Sequence, residues 1–410
     1  MNREKNKPQR GQALVLVALA MIAMMAMLAL VLDGGNTFMN RRAMQNAADA
    51  GALAGVRQLC LTRSETDAEF VAHQYATVWN TAQAADEKAD LETRTVVVTA
   101  TRQVSTFFAH FIGLNNIKAQ AVAEAGCFNA ILADGVLPVA WICRASINPS
   151  TPEPGEDPEP EFDCEGDYIN EDDLDDLKNF NYSSGDIPSQ LYIIMDDVSV
   201  PNDLDAVCIS QGGNLQCDLD GDNEDDLLSM GGRSWLDLSG GGGGANELVD
   251  WINGNNVPPI GWHYWLTGQS GTANSVFQAV GDNVGKTVII PVFDEICDSD
   301  DVVNDCTWHV PPDVQDTDQT GAGGGINFHI VSFSLFYISC VNAPGVSGPE
   351  CPGHKYARET GVFSAIQGVN AQNPKTIEGF IYTGSVEELK GDPSNPGNID
   401  TGAYVFYLTR

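Results

Sequence analysis

The sequence predicts an α+β protein: an N-terminal transmembrane helix bearing a small pilin-like α+β module, followed by a β-rich extracytoplasmic domain. Three observations lead there. Gln12 to Leu32 holds no charged residue. Met44, Ala47, Ala48, Gly51 and Gly55 then recur at i, i+3, i+4, i+7 and i+11, one stripe of a helix made of small side chains. Later runs such as Lys286 to Phe293 and Ile326 to Cys340 are rich in β-branched and aromatic residues, with turn-forming Asp and Gly between them.

The apolar run has the length that a hydrocarbon core about 30 Å thick requires of a helix, about 20 residues. An ionised Asp at mid-membrane costs about 3 kcal/mol, so Asp33 is expected at the far interface. Arg3, Lys5, Lys7 and Arg10 precede the run. Residues 1–11 are therefore expected in the cytoplasm, residues 12–32 across the membrane, and everything after Asp33 outside. A cleaved signal peptide is the competing reading, but its apolar core spans about 7–15 residues before a small-x-small site. This run is longer and continues into Val31-Leu32-Asp33-Gly34-Gly35, which favours an uncleaved anchor. A helix continuous to Arg57 would span about 70 Å, with Gly34-Gly35 the candidate break. The small-residue stripe is suited to close approach of another helix, expected to come from a partner.

Residues 33–126 read as the module. Ser64 to Ala82 is expected as a second helix, with Thr62 and Glu65 at capping-box spacing. Val71, Tyr75, Val78, Trp79 and Ala82 form its apolar face. Thr93 to Arg102 reads as a strand; Phe107, Phe108 and Phe111 as a short helix stopped by Gly113; and Ile117 to Ala125 as another strand. The pilin fold is the nearest architectural analogy. Residues 127–148 read as a strand connector. Residues 149–235 form an acidic insertion, opened by the Pro, Glu and Asp linker Pro149 to Glu161, with one strand-like island at Leu191 to Met195. In the β-rich domain, residues 236–410, a helical patch at Glu247 to Ile252 precedes the aromatic cluster Trp262, Tyr264 and Trp265. Further strands are expected at Thr376 to Thr383 and Ala403 to Thr409.

Net charge is −35, from 56 acidic and 21 basic residues. Nucleic acid and anionic lipid are therefore poor partners for the exported part, and cations plausible ones. None of the ten cysteines forms a Cys-x-x-Cys pair, which fits disulfides in an oxidising compartment. Neighbouring candidates are Cys208/Cys217, Cys297/Cys306 and Cys340/Cys351, while Cys60/Cys127 bracket the module. Spacing leaves the connectivity open.

Arg10-Gly11-Gln12-Ala13 before the span, and Gln45-Asn46-Ala47-Ala48-Asp49-Ala50-Gly51-Ala52-Leu53-Ala54-Gly55 after it, resemble the N-terminal region of TadE/TadG-like Flp pilus-assembly proteins. The resemblance continues through Val96 to Arg102, Ser105 to Ala109, Gly113 and Val122 to Ala125. It implies a membrane-anchored, non-enzymatic component of Flp-type pilus assembly or anchoring, with other Tad/Flp assembly proteins or pilins as partners. Pilin-like substrates of prepilin peptidase carry Gly before the cut and Glu five residues after it. Gly11 is present, but Leu16 stands at the Glu position, which implies permanent anchoring. The alternative is a calcium-dependent surface adhesin that uses a Tad-like anchor without a pilus.

Catalytic signatures do not assemble. Gly281 to Thr287 ends in Gly-Lys-Thr but is one residue short of a phosphate loop and leads into a strand. The Gly268-Gln269-Ser270-Gly271 run lacks nucleophile-elbow spacing. The six histidines show no metalloprotease spacing. Asp197-Val198-Ser199-Val200-Pro201 resembles the metal site of von Willebrand A domains, with Pro201 in place of its second Ser; the simpler reading is a strand ending in a polar turn. Trp262, Tyr264 and Trp265 suit sheet-edge packing better than a glycan platform. The one candidate metal site is Asp218, Asp220, Asp222, Glu224 and Asp226. Alternating carboxylates on a tightly coiled backbone can supply the oxygens that calcium takes. Asn223 stands where such loops usually have Gly, and Ser229 at position 12 rules out an EF-hand. A calcium loop and a solvated acidic turn both fit this pattern.

Overall fold

Helix α1 starts at Gln12 and runs unbroken to Thr62, 51 residues or about 75 Å. The computed structural model describes residues 12–139, 141–142, 174, 177–178, 191–196, 227–229, 235–239, 244–262, 264–269, 273–298, 326–360, 374–392 and 401–409. The proposed calcium residues (Asp218, Asp220, Asp222, Glu224 and Asp226), the Asp197 motif, and the Cys208, Cys217 and Cys306 positions lie outside them. The chain divides into two units, residues 1–127 with 406–410, and residues 128–405.

In the first unit α1 does not break at Gly34-Gly35. A methyl group at either would meet nothing within 4 Å, so these glycines weaken the helix without bending it onto a neighbour. The buried apolar face begins further on, where Met44, Ala47, Ala48, Ala52, Val56 and Leu59 are fully covered. Arg63, at φ 51°, ends the helix, and its N–H bonds the Leu59 carbonyl. Helix α2 (Glu65–Gln74) follows, with Ser64 as its cap, accepting from the Asp67 N–H at 3.3 Å. The Thr62–Glu65 capping box is therefore not formed. Glu65 instead accepts from the Leu91 N–H, and Thr62 bonds back to the Gln58 carbonyl. A π-helical turn, Tyr75–Trp79, completes the second helical segment.

Strands β1 (Ala84–Asp90), β2 (Thr95–Ser105) and β3 (Asn116–Asn129) pair antiparallel in that order. The C-terminal strand Tyr404–Leu408 adds beside β3. Val96, Val98 and Ala100 on β2 sit opposite Ala125, Ala123 and Ala121 on β3, so one face of the sheet is a carpet of small apolar groups. The helices lie on that face. A methyl on Gly51 would stand 2.9 Å from the Ala72 carbonyl oxygen and 3.3 Å from Val98; one on Gly55 would stand 2.8 Å from the Ala72 methyl and 3.0 Å from Val96. The stripe is thus consumed within the chain, by α2 and β2. The expectation of a partner helix on it is corrected: small residues allow close approach, but spacing does not say of what. The Cys60–Cys127 disulfide ties the end of α1 to β3 across 67 residues, a loop closure of about 4 kcal/mol on chain-entropy grounds.

The second unit is β-rich with short helices. Its mixed sheet, eight strands among the described residues, centres on β11 (Thr287–Asp298) and β12 (Ile326–Asn342), antiparallel and bulged around Phe293. The other edge of β12 is shared. β10 (Trp265–Gln269) takes its start, β13 (Lys375–Tyr382) its end, and β8 (Trp235–Asp237) adds beyond β10. Beyond β13 lies β6 (Tyr192–Asp196), with β7 (Leu227–Ser229) parallel to it; β5 (Trp141–Ile142) runs parallel to β11. Val331, Phe333, Leu335 and Phe336 are all buried, so β12 is covered on both faces and reads as a continuous apolar run. Helices α3 (Ala245–Ile252), α4 (Asn274–Gly281) and α5 (Pro352–Thr360) belong to this unit. Phe277 of α4 meets Trp235 edge to face at 5.5 Å. A small sheet joins β4 (Leu132–Ala133) to β9 (Ile260–Gly261) and β14 (Leu389–Lys390). Among the described residues, the strand connector expected over 127–148 holds the end of β3 and the two short strands β4 and β5.

Replacing Gly51 by Leu should destabilise the first unit by about 1–3 kcal/mol or more, because the contacting atom is backbone. Gly34→Ala should leave it unchanged or stabilise it by up to about 1 kcal/mol. Thermal unfolding of the detergent-solubilised chain checks both; equal midpoints for Gly51→Leu and the unsubstituted chain would refute the packing.

Candidate functional site at the end of the apolar run of the long helix

Residues 14–32 of α1 are exposed wherever their side chains are described, and among the described residues α1 is the one helix long and apolar enough to cross a membrane. These 19 positions rise about 28 Å, close to the thickness of a bilayer core. Asp33 follows directly.

Asp33 is buried, only 6% exposed, on a helix otherwise bare at this level. Its Oδ1 accepts the Phe107 N–H at 2.7 Å, and its Oδ2 accepts those of Phe108 and Ala109 at 2.9 and 2.7 Å. These amides open the 3₁₀ turn Ala109–Ile112 in the β2–β3 connection. They are the unpaired donors that every helix start presents, and a carboxylate satisfies both their hydrogen bonds and their partial positive charge. Gly113, at φ 90°, closes the turn; its N–H bonds the His110 carbonyl and that of Leu114 bonds Ala109. Thr106 ties the loop base to Asn115 at 3.1 Å and to the Leu114 carbonyl through its hydroxyl. The Phe107-Phe108 turn ended by Gly113 was legible in the sequence. Its attachment to Asp33 was not, because 74 residues separate the partners. A lone carboxylate at the end of an apolar span, with no nearby cation, was the available signal.

A second buried carboxylate lies in the other unit. Glu378 of β13, fully buried, accepts the N–H groups of Gly353 at 3.0 Å and His354 at 2.5 Å, in the first turn of α5. The Cys340–Cys351 disulfide, one of the expected neighbouring pairs, anchors that helix start. His354 is buried too; its Nδ1 lies 3.0 Å from Glu350, which receives two bonds from the Arg358 guanidinium. Burial pushes the Glu378 carboxyl up to about 7, against the two amides that favour its ionised form. Burial also holds His354 below its ordinary value, with the Glu350 bond opposing. The geometry is that of a capped helix.

Of the aromatic cluster, Trp262, Tyr264 and Trp265 are half-buried, and Trp265 packs on His329 with ring centres 4.9 Å apart. No group of three or more His, Cys, Asp or Glu side chains among the described residues is placed to hold a metal ion.

Residues 11–58 match the Tad family, described as Flp pilus-assembly TadE/G-like. The matched stretch is α1 almost end to end: the span, Asp33 and the small-residue stripe. Comparison with curated proteins and with solved structures gives no match.

Glu378 yields a pH test. In the fold it keeps its proton up to about pH 7, whereas the unfolded carboxyl releases it near 4.5. The folded state binds more protons between those values, so this group lowers stability by up to about 3 kcal/mol as pH rises from 4.5 to 7. His354 acts in the opposite sense below its ordinary 6.5 and does so with or without Glu378. Denaturant unfolding should therefore show the unsubstituted chain losing stability relative to Glu378→Gln across this window; parallel pH profiles would contradict the assignment.

Proposed function

From an N-terminal region that matches the TadE/G-like Flp pilus-assembly family, we propose that this chain is a membrane-anchored, non-enzymatic component that assembles or anchors a Flp-type pilus at the cell surface. The observation that carries the reading is that one helix supplies both the apolar span and, from Met44 onward, the spine of the folded unit. A rod of that kind transmits position from bilayer to module without a flexible joint. A long helix laid on an antiparallel sheet supports a pilin-like reading of the module.

Residues 12–32 cross the cell membrane once. Arg3, Lys5, Lys7 and Arg10 hold the N-terminus in the cytoplasm and both units face outward. The Cys60–Cys127 and Cys340–Cys351 bridges suit an oxidising exterior. Other Tad/Flp assembly proteins or pilins are its partners. They meet surfaces other than the Gly51–Gly55 stripe, which the chain itself covers. Calcium-dependent adhesion without a pilus is the second reading, favoured by the Asp218, Asp220, Asp222, Glu224 and Asp226 pattern.

Deletion in a cell that builds Flp-type fibres should abolish them. The full chain should restore them, and a chain in which residues 12–32 are exchanged for a cleavable signal sequence should not. Protease added to spheroplasts should digest both units. Normal fibres in the deletion strain, together with calcium-dependent surface binding by the chain, would transfer the assignment to the adhesin.

A further inference from the structure

We propose that the β2–β3 connection, residues 106–114, is a second membrane contact: a loop seated in the outer headgroup region of the bilayer beside α1. The proposal rests on the reading of residues 12–32 as the membrane span. Asp33 follows that span directly, and its carboxylate holds the backbone of Phe107, Phe108 and Ala109 at 2.7–2.9 Å. The three gripped amides therefore stand at the level where the apolar span ends.

Its chemistry suits that place. Phe107 is 68% and Leu114 53% exposed, large apolar groups left mostly uncovered by the described residues. On the helix itself, Phe38 and Met39 are exposed as well, about 8–9 Å beyond Asp33 along the axis. That is the outer edge of one headgroup layer, about 5–8 Å deep. Backbone polar groups already paired within the chain lose no water bonds when a loop is brought toward the hydrocarbon. Here the N–H groups of Phe107, Phe108 and Ala109 go to Asp33, and those of Thr106, Gly113 and Leu114 go to Asn115, His110 and Ala109. Residues 33–126 are nearly balanced in charge, ten acidic against eight basic, so the contact is carried by its apolar groups and is served by a zwitterionic surface. Together, a transmembrane helix and a loop clamped beside it resist tilting of the module about the span.

The full chain in phosphatidylcholine vesicles tests this. Nitroxide labels are placed singly at Phe107→Cys, Leu114→Cys, Ile22→Cys and Thr93→Cys, with the unsubstituted chain as the labelling blank. Thr93 is exposed at the other end of β2, about 35 Å from the loop. Power saturation should show labels at 107 and 114 more accessible to oxygen than to an aqueous nickel chelate, like the label at 22, and the ratio reversed at 93. Chelate-accessible labels at 107 and 114 with a membrane-buried label at 22 would overturn the loop contact and leave the span intact. A chelate-accessible label at 22 would overturn the span itself. Labels at 107 and 114 shielded from both reagents would show a protein covering the loop and would also overturn the proposal.

Discussion

The carboxylate of Asp33 joins the apolar run of α1, long enough to cross a membrane, to the folded part of the chain. Its three bonds to the amides of residues 107–109 fasten the far end of the β2–β3 hairpin to the helix just where the apolar span ends. Without them, the first side chains of α1 to be fully covered would come 11 residues later, at Met44, and the intervening turns would stand as a bare stalk. Charge-assisted bonds to backbone amides are shorter and stronger than neutral ones, and at a bilayer surface they compete with less water. The clamp therefore sets where the module begins relative to the apolar run.

The rest of the first unit follows from keeping one straight helix close to a sheet. Gly51 and Gly55 bring α1 within contact of α2 and β2, and the alanines of β3 keep the sheet surface low enough to receive it. Dispersion between many small groups replaces the few large side chains that usually fill a core. Cys60–Cys127 closes the end distant from Asp33. Helix α1 is thus held at three levels spread over about 40 Å: the carboxylate, the glycines and the disulfide. The second unit repeats one of these devices in another setting. Glu378 caps α5 as Asp33 caps the 3₁₀ turn, but full burial makes its ionised form costly.

What the sequence disclosed depended on whether the signal was local. The uncharged run and the valine-rich β2 were legible because length and composition define them. The long apolar strand β12 was legible for the same reason, and its sequence shows no alternation because both faces are covered. Strand β1, Ala84-Ala85-Asp86-Glu87-Lys88-Ala89-Asp90, was not, since residues poor in β propensity form it and only its pairing to β2 makes it a strand. Helices α4 and α5 are short and amphipathic, too brief for periodicity to stand out. The stripe was found but assigned to the wrong neighbour, and the Thr62–Glu65 box lost to Ser64 because Arg63 ends α1 between them. Asp33 was placed correctly at the end of the span, yet its partners lie 74 to 76 residues away, where one sequence gives no register.

Amide hydrogen exchange of the full chain in bilayer nanodiscs tests the clamp most directly. The N–H groups of Phe107, Phe108 and Ala109 should exchange slowly in the unsubstituted chain. In Asp33→Ala they should exchange far faster, while the amides of Val96 to Val98 in β2 keep their protection. Equal protection of residues 107–109 in both chains would contradict the account.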